Sequence, residues 1–127
     1  MYRTEADSSG RVVTMSFSDH VGSDEMSCCF TQLRALLDHM QPGFLLLTDL
    51  SGLDSMDVEC AACIGEIMDL CNAKGIKRVV RIVPDPRKDI GFNLVARFHQ
   101  APNVEVSIYE SLAEAIQCLS CEDAGDI

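Results

Sequence analysis

A short, unbroken apolar run near the middle of the chain sets the strongest limit on its fold. The run spans Phe44 to Leu47, extends in character to Leu50, and follows the helix-breaking pair Pro42-Gly43. A strand that is apolar on both faces must be covered on both sides, as strands in parallel sheets are. The run is also far shorter than the ~20 residues that a membrane-spanning helix requires. We therefore predict a buried central strand over residues 44–50.

Helical patterns flank this strand on both sides. Before it, apolar side chains recur at three- and four-residue spacing, and Ser23 occupies the position expected of a helix cap. After it, a second stripe begins near Asp57 and ends at Gly75, a residue that suits the left-handed turn after a helix. The first stripe consists of Met26, Phe30, Leu33, Leu37 and Met40, and the second of Cys60, Ile64, Ile67 and Cys71.

The remaining segments complete an alternating pattern. Residues 2–6 and 11–17 predict an opening hairpin, and residues 76–83 and 104–109 predict two further strands. Asp85-Pro86 and Glu110 are the expected starts of two more helices. The order ββαβαβαβα indicates an α/β fold: a mostly parallel mixed sheet with about four helices against it. We expect one domain over residues 1–127, with a core from about 11 to 119 and a frayed tail at 122–127.

The charge of the chain excludes several classes of function. A formal net charge of −10 is unfavourable for binding nucleic acid or an anionic membrane, because phosphate binding depends on Lys and Arg. The amino terminus lacks the apolar segment of a secretory signal, so we expect a cytoplasmic protein. Seven of the ten basic residues nevertheless fall between positions 74 and 97, which predicts either a local basic patch or an ordinary solvated face.

The segment from Leu47 to Asp57, with the sequence LTDLSGLDSMD, resembles the central motif of the STAS family of bacterial anti-sigma-factor antagonists. In that family a buried strand ends in Asp-Leu-Ser, and an Asp follows at the start of a helix. The stretches 71–83 and 109–115 resemble the later strand and the final helix of the family, so the resemblance covers residues 11 to 119. It implies a single STAS-like domain.

The resemblance also implies a function. STAS regulators bind a kinase-like anti-sigma factor, which phosphorylates a hydroxyl just after the conserved Asp. Here Asp57 is followed by Val58-Glu59-Cys60, so no hydroxyl stands at the matching positions. We therefore expect a non-catalytic regulatory module, with a protein partner of this kind, that is not controlled by the usual serine phosphorylation. The predicted partner-binding residues are Ser51, Ser55, Met56, Asp57, Val58, Glu59 and Cys60.

A small-molecule sensor is the alternative hypothesis. Ligands in open α/β sheets bind at the carboxyl ends of the parallel strands, where Arg87 and Lys88 would add positive charge. These two residues are the candidate ligand-binding or anion-binding pair. An apolar or anionic ligand would occupy a cleft near Met56, Val58 and Phe92.

Two Cys-x-x-Cys pairs suggest zinc binding or thiol redox chemistry as a third option. Cys60 and Cys63 form one pair, and Cys118 and Cys121 the other. Both pairs fall within helical patterns, which favours packing of reduced thiols in the core. No catalytic motif occurs, and the three histidines are scattered. We expect no cofactor, no metal and no enzymatic activity, and leave a homodimer open.

Overall fold

The computed structural model describes residues 1–83 and 104–117 of the chain. Five strands and two long helices lie in these ranges, and residues 112–117 are also helical. Along the chain the elements are β1 (Tyr2–Ala6), β2 (Val12–Val21), α1 (Ser23–Leu37), β3 (Leu45–Met56), α2 (Cys60–Ala73), β4 (Arg78–Ile82) and β5 (Glu105–Tyr109).

The strands form one mixed sheet in the order β1-β2-β3-β4-β5. The hairpin pairs β1 with β2 in antiparallel fashion, and all other neighbours are parallel. The turn of the hairpin is closed by Asp7, whose carboxylate accepts the backbone N–H groups of Arg11 and Val12, each at 3.0 Å. Gly10 takes a left-handed conformation there, with φ 71°. The predicted α/β class and mixed sheet are confirmed, and β3 is the central strand.

The two long helices share one hydrophobic core with alternate residues of the sheet. Their buried side chains meet Val13, Met15 and Leu46, which project from the same face of β2 and β3. The predicted stripe of α2 is buried at all four positions. Helix α1 buries Met26, Cys29, Leu33 and Leu37, while Phe30 and Met40 pack at the margin of the core.

A smaller cluster lies on the opposite face of the sheet. Val80 and Ile82 of β4 pack there against Ala115, with Leu45 and Leu47 half-buried beside them. The central apolar run is thus covered on both faces, because its even-numbered and odd-numbered residues enter different clusters. This is the reason for its lack of polar alternation.

Strand β3 is longer than predicted. The predicted strand ends at residue 50, but β3 continues to Met56 and includes Ser51 and Ser55. The extension pairs with the end of β2, which itself runs beyond the predicted residue 17 to Val21. The register between the two strands shifts twice along the way, and at Gly52 they come so close that a Cβ would lie 3.1 Å from the Cβ of Ser18.

The described members of the predicted basic patch, those between positions 74 and 83, do not share one surface. Arg81 is buried, and Arg78 lies on the other face of β4, where it donates to Ser107 Oγ at 2.8 Å. Alternation along the strand separates these two side chains, while Lys74 pairs with Asp38 at 2.8 Å. The helix predicted from Pro86 and the tail at 122–127 lie outside the described residues, so the count of four helices stays a prediction.

Candidate functional site

The predicted partner-binding residues lie at the carboxyl edge of the sheet, where β3 passes into α2. We call residues 55–60 the β3–α2 junction. Ser55 and Glu59 are exposed, Met56 and Asp57 are partly buried, and Val58 is 87% exposed. Ser51 lies further back on β3 and is also exposed. The predicted residues therefore follow one path from the end of the central strand to the first turn of a helix.

A histidine that sequence reasoning set aside lies against this junction. The imidazole of His20, near the end of β2, has Nδ1 2.7 Å from Ser55 Oγ and Nε2 3.0 Å from Asp57 Oδ1. The pairing of β2 with the extended part of β3 places His20 directly opposite Ser55. The signal was missed because the sequence pattern ends β2 at residue 17 and leaves His20 in a connecting loop.

Asp57 also reaches the start of α1. Its second oxygen, Oδ2, accepts the backbone N–H of Ser23 at 3.2 Å. Ser23 was predicted to cap α1, and this was wrong: the cap position is Gly22, Ser23 is the first helical residue, and the carboxylate comes from 34 residues along the chain. A carboxylate at this place stabilises the positive end of the helix. Because Asp57 accepts the Ser23 amide, this donor needs no acceptor from a local side chain.

The backbone holds Asp57 in place. Its N–H donates to Val21 O at 3.0 Å, and its carbonyl accepts the N–H of Cys60 at 3.0 Å. Gly22 lies close by, since a Cβ there would stand 3.4 Å from Asp57 Oδ2. The junction is thus tied to the end of β2 and to both helices.

An apolar side chain projects from this anchored segment. Val58 lies in the turn just before α2, where its carbonyl accepts the N–H of Ala61 at 3.1 Å, and its own side chain faces solvent. Glu59 beside it is exposed, and Asp54 and Asp57 add carboxylates on the strand side. Exposure of this valine contributes nothing to folding, and Val58 has the highest exposed fraction among the exposed large apolar residues that the structure describes.

Cys60 differs from the other predicted contact residues because it is 1% exposed. Its thiol lies beneath the junction, 3.7 Å from Val21 O. Burial, and then the Asp57 carboxylate, raise the pKa of Cys60, which is the opposite of the lowered pKa that redox chemistry would need. Packing is therefore its role in the described structure, and we leave it out of the contact surface.

The zinc option rests on residues of which only one pair is described. Cys63 lies with its thiol 3.5 Å from Met26 O, and its pKa is raised by burial and then by Glu66. Cys118 and Cys121 lie outside the described residues. Within residues 1–83 and 104–117, no group of three or more His, Cys, Asp or Glu side chains is arranged to hold a metal ion.

The proposed ligand cleft cannot be placed in the same way. Arg87, Lys88 and Phe92 lie outside the described residues, so their relation to Met56 and Val58 stays a prediction. A described groove of about 400 Å³ lies instead on the sheet beside β1, lined by Arg3, Ser16, Asp49 and Ser51 among others.

Three solved structures of bacterial proteins have a similar architecture. A protein of the DUF3478 family with a SpoIIAA-like fold, from Shewanella loihica, has a TM-score of 0.67 at 17% identity, covering 94% of this chain and 92% of that one. The anti-sigma factor antagonist SpoIIAA of Bacillus, in its unphosphorylated form, has a TM-score of 0.63 at 14% identity, with coverage of 94% and 98%. An anti-sigma factor antagonist from Mycobacterium paratuberculosis has a TM-score of 0.57 at 17% identity, covering 93% of each chain.

These similarities define the fold class. The chain has a SpoIIAA-like, that is STAS-like, α/β fold, as the resemblance of the central motif predicted. No family model matches the sequence, and no curated protein matches it. In the described part of the chain, no helix combines the length and the apolar character needed to cross a bilayer.

Proposed function

We propose that this domain is a non-catalytic regulatory module of the anti-sigma-factor-antagonist kind, and that it docks a protein partner through the β3–α2 junction. The contact surface consists of Ser55, Met56, Asp57, Val58 and Glu59, with Ser51 at its margin. The observation that carries the proposal is Val58, which is 87% exposed on a segment held by hydrogen bonds on both sides. The cytoplasm is the proposed compartment.

A pre-ordered surface favours docking. The junction is fixed by Asp57 before any partner arrives, so less conformational freedom is lost on binding than a mobile loop would lose. Val58 supplies an apolar contact, while Glu59 and the neighbouring carboxylates supply charge that selects the partner. The expected partner is a kinase-like anti-sigma factor or a similar protein with a basic rim around an apolar depression.

Control by the usual serine phosphorylation is not part of the proposal. Positions 58–60 carry no hydroxyl, so the turn that leads into α2 offers no group to which a phosphate could add its charge and acceptor oxygens. Glu59 instead places an exposed acidic side chain in this turn. Binding would instead be controlled by the abundance of the partner or by a chemical change at a neighbouring residue.

The test is to change the junction without changing the fold. We expect Glu59→Lys to weaken or redirect partner binding, because it reverses the sign of the rim, and Val58→Asp to weaken it about tenfold or more by burying a charge at the contact. Each variant and the wild type is immobilised, incubated with extract of the native host, and the retained proteins are quantified. A candidate that depends on Val58 is then purified and its affinity measured.

Glu66→Lys is the matched control. Glu66 is an exposed carboxylate on α2, so the change in net charge is the same as for Glu59→Lys but lies away from the junction. All variants should unfold at nearly the wild-type temperature, since surface substitutions usually change stability by less than about 0.5 kcal/mol. If Glu59→Lys and Val58→Asp retain the same partners at the same affinity as the control, the docking proposal is wrong.

A further inference from the structure

Both ring nitrogens of His20 have a hydrogen-bond partner, and these partners determine which nitrogen carries the hydrogen in the neutral form. Asp57 Oδ1 accepts hydrogen bonds and, as a carboxylate, donates none. A neutral imidazole carries one N–H and one bare nitrogen, so the nitrogen that faces Asp57, Nε2, must carry the hydrogen. Nδ1 is then bare, and the Ser55 hydroxyl, 2.7 Å away, must donate to it.

Protonation of His20 reverses the role of this hydroxyl. The imidazolium carries a hydrogen on both nitrogens, so Nδ1–H donates to Ser55 Oγ. The Ser55 hydrogen is released and turns toward solvent. One proton therefore changes Ser55 from a group that offers only lone pairs to a partner into a group that offers a hydrogen-bond donor, and adds a positive charge beside Asp57.

We infer that His20 and Ser55 form a proton-operated switch on the docking surface, so that partner binding at the β3–α2 junction depends on whether the His20 imidazole is protonated. The inference rests on the proposed function for its consequence, but not for its chemistry. His20 is 56% exposed and exchanges protons with solvent directly. Ser55 is exposed as well, so the reversal takes place where a partner can sense it.

Several charged groups lie around His20. Asp57 faces its ring from the junction, and Asp19 precedes it on β2. On the side of α1, Glu25 is paired with the amino-terminal ammonium of Met1 at 2.7 Å. That ammonium also donates to the His20 carbonyl at 3.3 Å. Asp54 and Glu59 are the other carboxylates of the adjoining strand and junction.

The first test is the tautomer. In ¹⁵N-labelled wild-type domain at pH 8, long-range ¹H–¹⁵N correlation spectra should show His20 with hydrogen on Nε2 and a bare Nδ1. On lowering the pH to 5, both nitrogens should become protonated, and the backbone amide signals of Ser55 and Ser23 should move together with them. Ser23 is included because its N–H binds the other oxygen of Asp57.

Two variants separate the switch from a general effect of pH. His20→Gln should abolish the common titration of Ser55 and Ser23, whereas His39→Gln, at an exposed histidine just after α1, should leave it intact. An Nδ1–H tautomer at pH 8, or a titration of Ser55 that persists in His20→Gln, would overturn the inference.

These measurements use the isolated domain and need no partner. If they succeed while the host-extract experiment finds no junction-dependent partner, the switch stands and the proposed function fails. If a junction-dependent partner is found, its affinity for wild type should differ between pH 8 and pH 5.5, and the difference should be lost in both His20→Gln and Ser55→Ala. Equal affinity at the two pH values in wild type would contradict the switch while leaving the docking surface in place.

Discussion

Asp57 connects three parts of the molecule through a single side chain. One carboxylate oxygen binds the imidazole of His20, and the other accepts the first backbone amide of α1. Its own backbone joins the end of β2 to the start of α2. Although the side chain is 41% exposed, its contacts lie on elements that are distant in sequence. Its structural role is therefore independent of any partner.

Replacing this carboxylate should lower stability. We expect Asp57→Ala to reduce the free energy of unfolding by about 1 kcal/mol, because the start of α1 loses the carboxylate that accepts the Ser23 N–H. Chemical denaturation of wild type and variant measures the difference. Glu59→Ala removes an exposed carboxylate two residues away and should change stability much less. Equal effects of the two substitutions would show that the cap contributes nothing.

Asp7 should make part of the stability depend on acid. The Ser9 hydroxyl, and then the backbone N–H groups of the turn, hold the pKa of Asp7 below its ordinary value. A carboxylate whose pKa is lower in the folded state contributes stability that is fully present above its unfolded pKa of about 4 and is lost as the pH falls through the folded value. Acidification from about pH 5 to pH 2 should therefore loosen the hairpin turn.

The measurement is a series of unfolding curves between pH 5 and pH 2. Asp7→Asn should show a weaker dependence on pH than wild type over this range, because the titrating group is gone. Glu66→Gln, which removes an exposed carboxylate on α2, is the control and should keep the wild-type dependence. An unchanged slope in Asp7→Asn would contradict the assignment.

At the scale of elements, β3 contains an unusual polar residue. Thr48 is completely buried in the face of the strand that meets the helices, and its hydroxyl has no hydrogen-bond partner among the residues that the structure describes. It stands between Met15 and Arg81 in the registers with β2 and β4. A buried hydroxyl of this kind costs more than an apolar group of the same shape.

Thr48→Val should therefore stabilise the domain. The substitution keeps the shape and the β-branched character of the side chain, and we expect the free energy of unfolding to rise by about 1 kcal/mol. Thr48→Ser keeps the hydroxyl and loses a methyl group, so it should destabilise the domain. Thermal and chemical unfolding of the three proteins distinguish these outcomes. Loss of stability in Thr48→Val would show that the hydroxyl has a partner after all.

The elements most accessible to prediction were those whose apolar residues follow one period. The stripe of α2 depends on local sequence alone, so its side chains could be assigned to a face before the structure was known. The extension of β3 to Met56 could not, because Ser51, Gly52 and Asp54 have the composition of a turn. Pairing with β2, a contact between distant segments, overrides that preference.

The candidate site shows the same limit at the scale of the whole molecule. The path from Ser51 to Glu59 follows from a local motif, since its residues are consecutive. His20 lies 35 residues from Ser55 in the sequence, and no local sequence pattern predicts that the two side chains are in contact. Helix capping by Asp57 escaped prediction for the same reason, because Ser23 offered a local alternative with the right chemistry. The contact of His20 with Ser55 follows from the register of β2 with β3, and the contact of Asp57 with Ser23 from the packing of α1 beside the end of β3.

The distribution of cysteines also depends on the assembled fold. Cys29 and Cys71 are buried in the shared core of the helices, where burial raises the pKa of each thiol to about 12. At such values the thiolate, which is the reactive form, is scarce at neutral pH. Cys28, next in sequence to Cys29, faces solvent instead. Reactivity toward thiol reagents thus varies with the side of α1 on which each residue lies.

The double use of the Asp57 carboxylate has a mechanical consequence. A partner that pulls the chain outward at Val58 would also displace the neighbouring Asp57 carboxylate. Because that carboxylate accepts the Ser23 N–H, the first turn of α1 would be weakened. Fraying of residues 23–26 would then indicate that a partner is bound at the β3–α2 junction, although these residues are not part of the contact surface. The rate of hydrogen–deuterium exchange at the amides of residues 23–26 would therefore increase when the junction is occupied.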